Sequence, residues 1–137
     1  MELMININDI AAKIKQYLSE FDDIAFAFLF GSSARGEATA LSDVDIAIYF
    51  TGAVDFYRIN GVRQDLSELL GTETDIVVLN NAAPVIRMQV LKKGTLIVDL
   101  DRRLYNEFFV NTVKEYDDLK RTRKDIEDKI LRGRIYA

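Results

Sequence analysis

The stretch FGSSARGEATALSDVDIAIYF, residues 30–50, decides the fold. After Phe30 it carries Gly31-Ser32, runs ten further residues, and reaches Asp43 and Asp45 at the head of an alternating apolar run. In VDIAIYF (44–50), Val44, Ile46, Ile48 and Phe50 share one face and Asp45, Ala47 and Tyr49 the other, the period of two of a β-strand. Asp43 and Asp45 then fall on one face, with Cα atoms about 6.5 Å apart. Charges of one sign held that close repel unless a cation lies between them. Just upstream, IAFAFLF (24–30) is a short continuous apolar run, which suits a buried strand. Gly31 stands where that strand must turn. Without a Cβ it lets the backbone bend sharply and approach a ligand closely. Ser32 and Ser33 can cap a following short helix, whose free N–H groups and positive dipole end suit phosphate. The Ser32 hydroxyl can add a hydrogen bond to terminal phosphates, and Arg35 can neutralise more of their charge. The stretch is not a Walker loop, since G-x-x-x-x-G-K-[ST] is absent. A lone Asp-x-Asp is most often a turn residue followed by a solvated strand position, and a lone Gly-Ser an ordinary strand-to-helix turn. Their combination points to a phosphate site beside a cation site.

Working outward, residues 8–21 carry Ile10, Ile14, Tyr17, Leu18 and Phe21 at helical spacing, with Asn8 as cap. A second helix is expected over about 54–70, with Tyr57, Val62, Leu66, Leu69 and Leu70 inward and Gly71 ending it. TDIVVL (74–79) reads as a third strand. APVIRMQVLKKG reads as a short helix with Pro84 in its first turn and Gly94 past its end. TLIVDL (95–100) reads as a fourth strand. From about 102 to 132 the chain is one long helix or two, with Leu104, Phe108, Val113, Tyr116, Leu119, Ile126 and Ile130 as its apolar stripe. The expectation is an α+β (mixed α/β) fold: a small mixed sheet of about four strands with helices packed against it, in one domain spanning 1–137.

Composition narrows the chemistry. The chain has 137 residues, 49% of them hydrophobic and 29% charged, within the range of a globular protein. With neither Cys nor His, it has no disulfide, thiol nucleophile, imidazole-based triad or His-ligated zinc. Acid–base and metal chemistry must use Asp, Glu, Lys, Arg or Tyr, and oxygen-only ligands favour hard cations such as magnesium. The net charge of −4 is unevenly spread: residues 120–134 hold seven basic and three acidic side chains, leaving −8 on residues 1–119. An acidic body argues against general nucleic-acid binding, which needs a basic groove. The basic segment is either a solvated helix face or a docking surface for an acidic partner. No run is long enough to cross a bilayer, and MELMININDI lacks the order of a signal peptide, so a cytoplasmic protein is expected.

Asp75, at the start of the third strand, can join Asp43 and Asp45 if the second and third strands pair. Three carboxylates at one sheet end call for cations. Two Mg²⁺ ions (or Mn²⁺) about 3.5–4 Å apart would satisfy them, the arrangement used for in-line phosphoryl or nucleotidyl transfer.

With Gly31-Ser32, ten residues, Asp43 and Asp45, and a later Asp75, the sequence resembles the minimal nucleotidyltransferases of the DNA polymerase beta superfamily, whose signature is G-S-x10-D-x-D plus a third Asp. The stretch departs from the usual form in carrying Ser33 where many members have an arginine or aromatic residue. The C-terminal half, VLKKGTLIVDLD and YNEFFVNTVKEYDDLKRTRKDI, is similar to that of the MNT antitoxins, partners of HEPN ribonuclease toxins. The resemblance implies transfer of AMP from ATP to a tyrosine hydroxyl of a HEPN toxin, silencing it. It implies that Gly31 and Ser32 hold the triphosphate, that Asp43 and Asp45 bind both metals, and that Asp75 ligates the catalytic metal and helps deprotonate the acceptor. No larger acceptor-binding domain is seen, so acceptor recognition is expected to fall on a partner's surface. The charged end of the last helix, from about Lys120, is expected to dock the toxin. Three alternatives stay open: a nucleotidyltransferase acting on a small acceptor such as an aminoglycoside, an antitoxin that works by contact alone, and an Asp-x-Asp glycosyltransferase. The last leaves Gly31-Ser32 unexplained.

Overall fold

Each apolar run of the sequence becomes one element. The computed structural model describes residues 7–30 and 43–136. Their order is α1 (Ile7–Leu18), β1 (Ile24–Phe30), β2 (Val44–Phe50), α2 (Phe56–Leu70), β3 (Thr74–Val78), a 3-10 turn (Leu79–Asn81), α3 (Pro84–Lys93), β4 (Thr95–Asp99) and α4 (Arg102–Tyr136). The four strands form one sheet in the order β3-β2-β1-β4. β1 is antiparallel to β2 and β4, whereas β2 and β3 are parallel. A parallel pair needs a crossover, and α2 supplies it.

Helices cover both faces. Val44, Ile46, Ile48 and Phe50 of β2 pack with Ile10, Ile14 and Leu18 of α1 and Val62 and Leu66 of α2. Ala47, with Phe26 and Phe28 of β1, packs with Val90 of α3 and Phe108 of α4. The alternation read in VDIAIYF therefore assigns its residues to two separate cores. A register shift between Ile24 and Phe26 places Ile24 in the α1–α2 core while Phe26 joins the other. On the α3–α4 side, Phe26 stacks on Tyr49 at 4.9 Å and meets Phe108 and Tyr105 edge-on or tilted at 5.2 and 5.3 Å. These contacts anchor the first half of α4 to the sheet.

Caps set the helix bounds. Asp55 accepts a hydrogen bond from the Arg58 amide at 2.8 Å, so α2 starts at Phe56. Gly71 ends it in the left-handed conformation (φ 69°), its N–H donating to the Ser67 carbonyl at 3.0 Å. Asn8, expected as the cap of α1, lies inside the helix, and α1 stops at Leu18 rather than residue 21. Tyr57 was expected inward but is 86% exposed. It stands five residues from Val62, about 140° around the helix from the buried side. Leu69 is also exposed, at the last turn of α2. α4 is a single helix of 35 residues, about 52 Å long. Phe108 and Thr112 are buried, but residues 117–133 are all exposed, Leu119, Ile126 and Ile130 included. The expected stripe is real, and its distal half lies beyond the sheet.

Candidate active site

Parallel pairing of β2 with β3 puts Asp45 and Asp75 opposite each other in register, one residue after the Val44–Thr74 pair. Neighbouring strands lie about 4.8 Å apart, and in-register residues project to the same face. That face is the α3–α4 side, since Ala47 and Val77, two residues further along each strand, line that core. Asp43 precedes β2 at the same end and is exposed, as is Asp75, whereas Asp45 is half-buried. The three carboxylates interact: burial pushes the Asp45 carboxyl above its ordinary range, and the charges of Asp75 and Asp43 raise it further. A divalent ion bound here would offset the repulsion between the charges of Asp45, Asp75 and Asp43.

The pairing does not draw three acidic side chains into a closed cage. Among the described residues no such ready-made ion-binding group is present. The donor set nonetheless fits a hard divalent ion: oxygen ligands alone, two of them in register on adjacent strands and a third within electrostatic reach.

β1 runs antiparallel into the same corner, where Phe30 pairs with Asp45. The chain therefore enters the Gly-Ser stretch directly beside the carboxylates. Gly31, Ser32, Ser33 and Arg35, the expected phosphate-binding residues, lie outside the described residues. Among the described residues, cavities lie elsewhere. One of about 230 Å³ lies between α1 and α2, lined by Lys13, Gln16, Tyr17, Glu20 and Leu69. An open groove of about 600 Å³ follows the end of α2 into the turn before β3. Neither takes in the carboxylates, which project from the strand ends.

One residue near the site escaped sequence reasoning. Ser67 accepts the Thr74 amide on its hydroxyl at 3.1 Å and the Gly71 amide on its carbonyl at 3.0 Å. The only sequence signal was its place four residues before Gly71, and a hydroxyl's long-range partner cannot be read from spacing.

A sheet in this order, with carboxylates at the heads of two parallel strands, is the framework of a nucleotidyltransferase. The chain belongs to the polymerase beta nucleotidyltransferase family, whose model matches residues 12–103. Over 120 residues it is 28% identical to the protein adenylyltransferase MntA of Shewanella oneidensis, covering 86% of this chain and 84% of that one. A crystal structure of a toxin-antitoxin with AMP-PNP is similar at a TM-score of 0.72 and 26% identity, covering 93% of this chain and 99% of that one. The MntA-HepT toxin-antitoxin is similar at 0.71 and 25%, covering 90% and 98%. Among the described residues no helix is long and apolar enough to cross a membrane.

Proposed function

We propose that the chain is an antitoxin that transfers AMP from ATP to a tyrosine hydroxyl of a HEPN-family ribonuclease toxin and so inactivates it. The observation that carries this reading is the in-register pairing of Asp45 with Asp75 beside Asp43, at the strand end where the Gly-Ser stretch begins. The likeness to a protein adenylyltransferase and to toxin-antitoxin structures, one of them with AMP-PNP, supports the choice of donor and partner.

Asp43, Asp45 and Asp75 are the residues that would hold Mg²⁺. When bound, the ions would offset the charge of the triphosphate and of the developing transition state. Gly31 and Ser32, with Ser33 and Arg35, would bind the phosphates. The acceptor oxygen attacks the α-phosphorus in line, the bond to pyrophosphate breaks, and the hydroxyl proton passes to the Asp75 carboxylate. Asp75 is the exposed member of the register pair, open to an acceptor on another protein, while half-buried Asp45 stays behind it. The exposed distal half of α4, with its basic side chains from Lys120 onward, is the surface we assign to the toxin. Such an enzyme works in the cytoplasm, where ATP and the toxin's RNA are found.

The test is intact-mass spectrometry of the co-expressed toxin. It should gain AMP-sized mass with the wild-type chain and none with Asp43→Ala/Asp45→Ala. A toxin neutralised without added mass would replace transfer with neutralisation by contact.

A further inference from the structure

We infer that Ser67, on α2, is a positioning residue that sets where Asp75 stands relative to Asp45. The inference rests on the assignment of Asp75 to the active site. Among the described residues β3 is an edge strand, paired on one side only. The Glu73 carbonyl faces β2 and accepts the Val44 amide at 2.9 Å. Across a trans peptide the next N–H points the opposite way, so the Thr74 amide faces away from β2. There it meets the Ser67 hydroxyl at 3.1 Å. Thr74 is wholly buried, and an amide left without a partner at this point would be costly.

The same serine holds the end of its own helix, since its carbonyl accepts the Gly71 amide at 3.0 Å. Gly71 takes the left-handed φ of 69° that turns the chain toward β3. Ser67 thus grips both ends of the three-residue turn 71–73, one with its carbonyl and one with its side chain. The next residue after Thr74 is Asp75, whose register against Asp45 is the core of the site. Without the hydroxyl, the head of β3 keeps its ladder bond through Glu73 but loses its outer tether. Asp75 would then sample positions away from Asp45. A displacement of about 1 Å at a reacting group costs on the order of 100-fold in rate, and loss of an outer support of a metal ligand costs about 10- to 100-fold in metal affinity.

The experiment compares Ser67→Ala, Ser67→Thr and Asn80→Ala. Asn80 clips the far end of β2, accepting the Phe50 amide and donating to the Phe50 carbonyl, both at 2.9 Å. It is the control for lost stability alone. Thermal shift is followed against Mg²⁺ with a non-hydrolysable ATP analogue, and AMP transfer to the toxin in parallel. Ser67→Ala should raise the Mg²⁺ half-saturation about tenfold and lower kcat, Ser67→Thr should restore both, and Asn80→Ala should shift neither. Equal Mg²⁺ responses in Ser67→Ala and Asn80→Ala overturn the inference. Asp75→Asn separates this failure from that of the underlying reading: if it transfers AMP normally, the assignment of Asp75 is wrong. If Ser67→Ala does not fold, amide exchange in the wild type decides. Thr74 must be as protected as Val44, and a rapidly exchanging Thr74 refutes the tether.

Discussion

Asp45→Asn should make the metal-free protein more stable while removing its function. Asn keeps the volume of the side chain and deletes one of three neighbouring charges. In-register Cα atoms on adjacent strands are about 4.8 Å apart, and parallel side chains would hold the Asp45 and Asp75 carboxylates at roughly 5 Å. Two charges at that distance repel by about 0.8 kcal/mol in water and by about 3 kcal/mol at an effective dielectric of 20. Asp75 is exposed and Asp45 half-buried, which favours the lower end, about 1 kcal/mol. For a chain of this length that raises Tm by about 3–4 °C. The sign follows from linkage. Burial and the charges of Asp75 and Asp43 hold the Asp45 carboxyl above its ordinary range. Below the ordinary range it is protonated in both folded and unfolded states, and no penalty exists. As pH rises through the raised value the folded state alone resists ionisation, and stability is lost. The gain from Asp45→Asn should be full at about pH 8 and vanish toward about pH 3. Mg²⁺ at ten times its Kd should stabilise the wild type by about 1.4 kcal/mol, and the variant by much less. The assay is calorimetry at both pH values, with and without Mg²⁺. A variant less stable than wild type at pH 8 without Mg²⁺, or an equal response to the ion, would refute the reasoning.

Three further outcomes follow from other parts of the molecule. Arg58 donates two hydrogen bonds of 2.8 Å to Asp23 and lies 4.5 Å over the Phe21 ring, and it holds the Asp23 carboxyl below its ordinary range. Arg58→Ala should therefore cost about 1 kcal/mol at neutral pH, measured by urea unfolding. That loss should shrink as acid protonates Asp23 and removes the pair from the wild type. Gly94→Ala should destabilise by about 2 kcal/mol, because the new Cβ would meet the Val90 carbonyl oxygen at 2.6 Å and the Cβ atoms of Phe28 and Phe30 at 3.4 Å; an unchanged urea midpoint would contradict that close approach. Replacing Leu119, Ile126 and Ile130 together by Ser should leave Tm within about 2 °C of wild type, since all three are exposed. The same variant should weaken toxin binding at least about tenfold by calorimetric titration.

The strands were legible in the sequence because their apolar runs are continuous or strictly alternating. β1 and β2 run over the residues expected from IAFAFLF and VDIAIYF. The available donor types were legible as well, since the absence of Cys and His leaves oxygen donors for a metal, and Asp43 and Asp45 are two residues apart in the chain. Helix edges were less so: Tyr57 joined an apolar stripe on paper, while the Asp55 cap and the direction of the sheet face turned it outward. Tertiary structure decided the rest. That Asp75 stands opposite Asp45, rather than a residue away on the other face, depends on a parallel register between strands separated by a whole helix. The Ser67 tether at the head of β3 likewise joins residues whose partnership no local periodicity encodes. Sequence by itself determined which side chains could do the chemistry, because composition and short-range spacing are properties of the chain. Only the fold decided which of them meet, because long-range pairing is settled by the packing of α2 against the sheet.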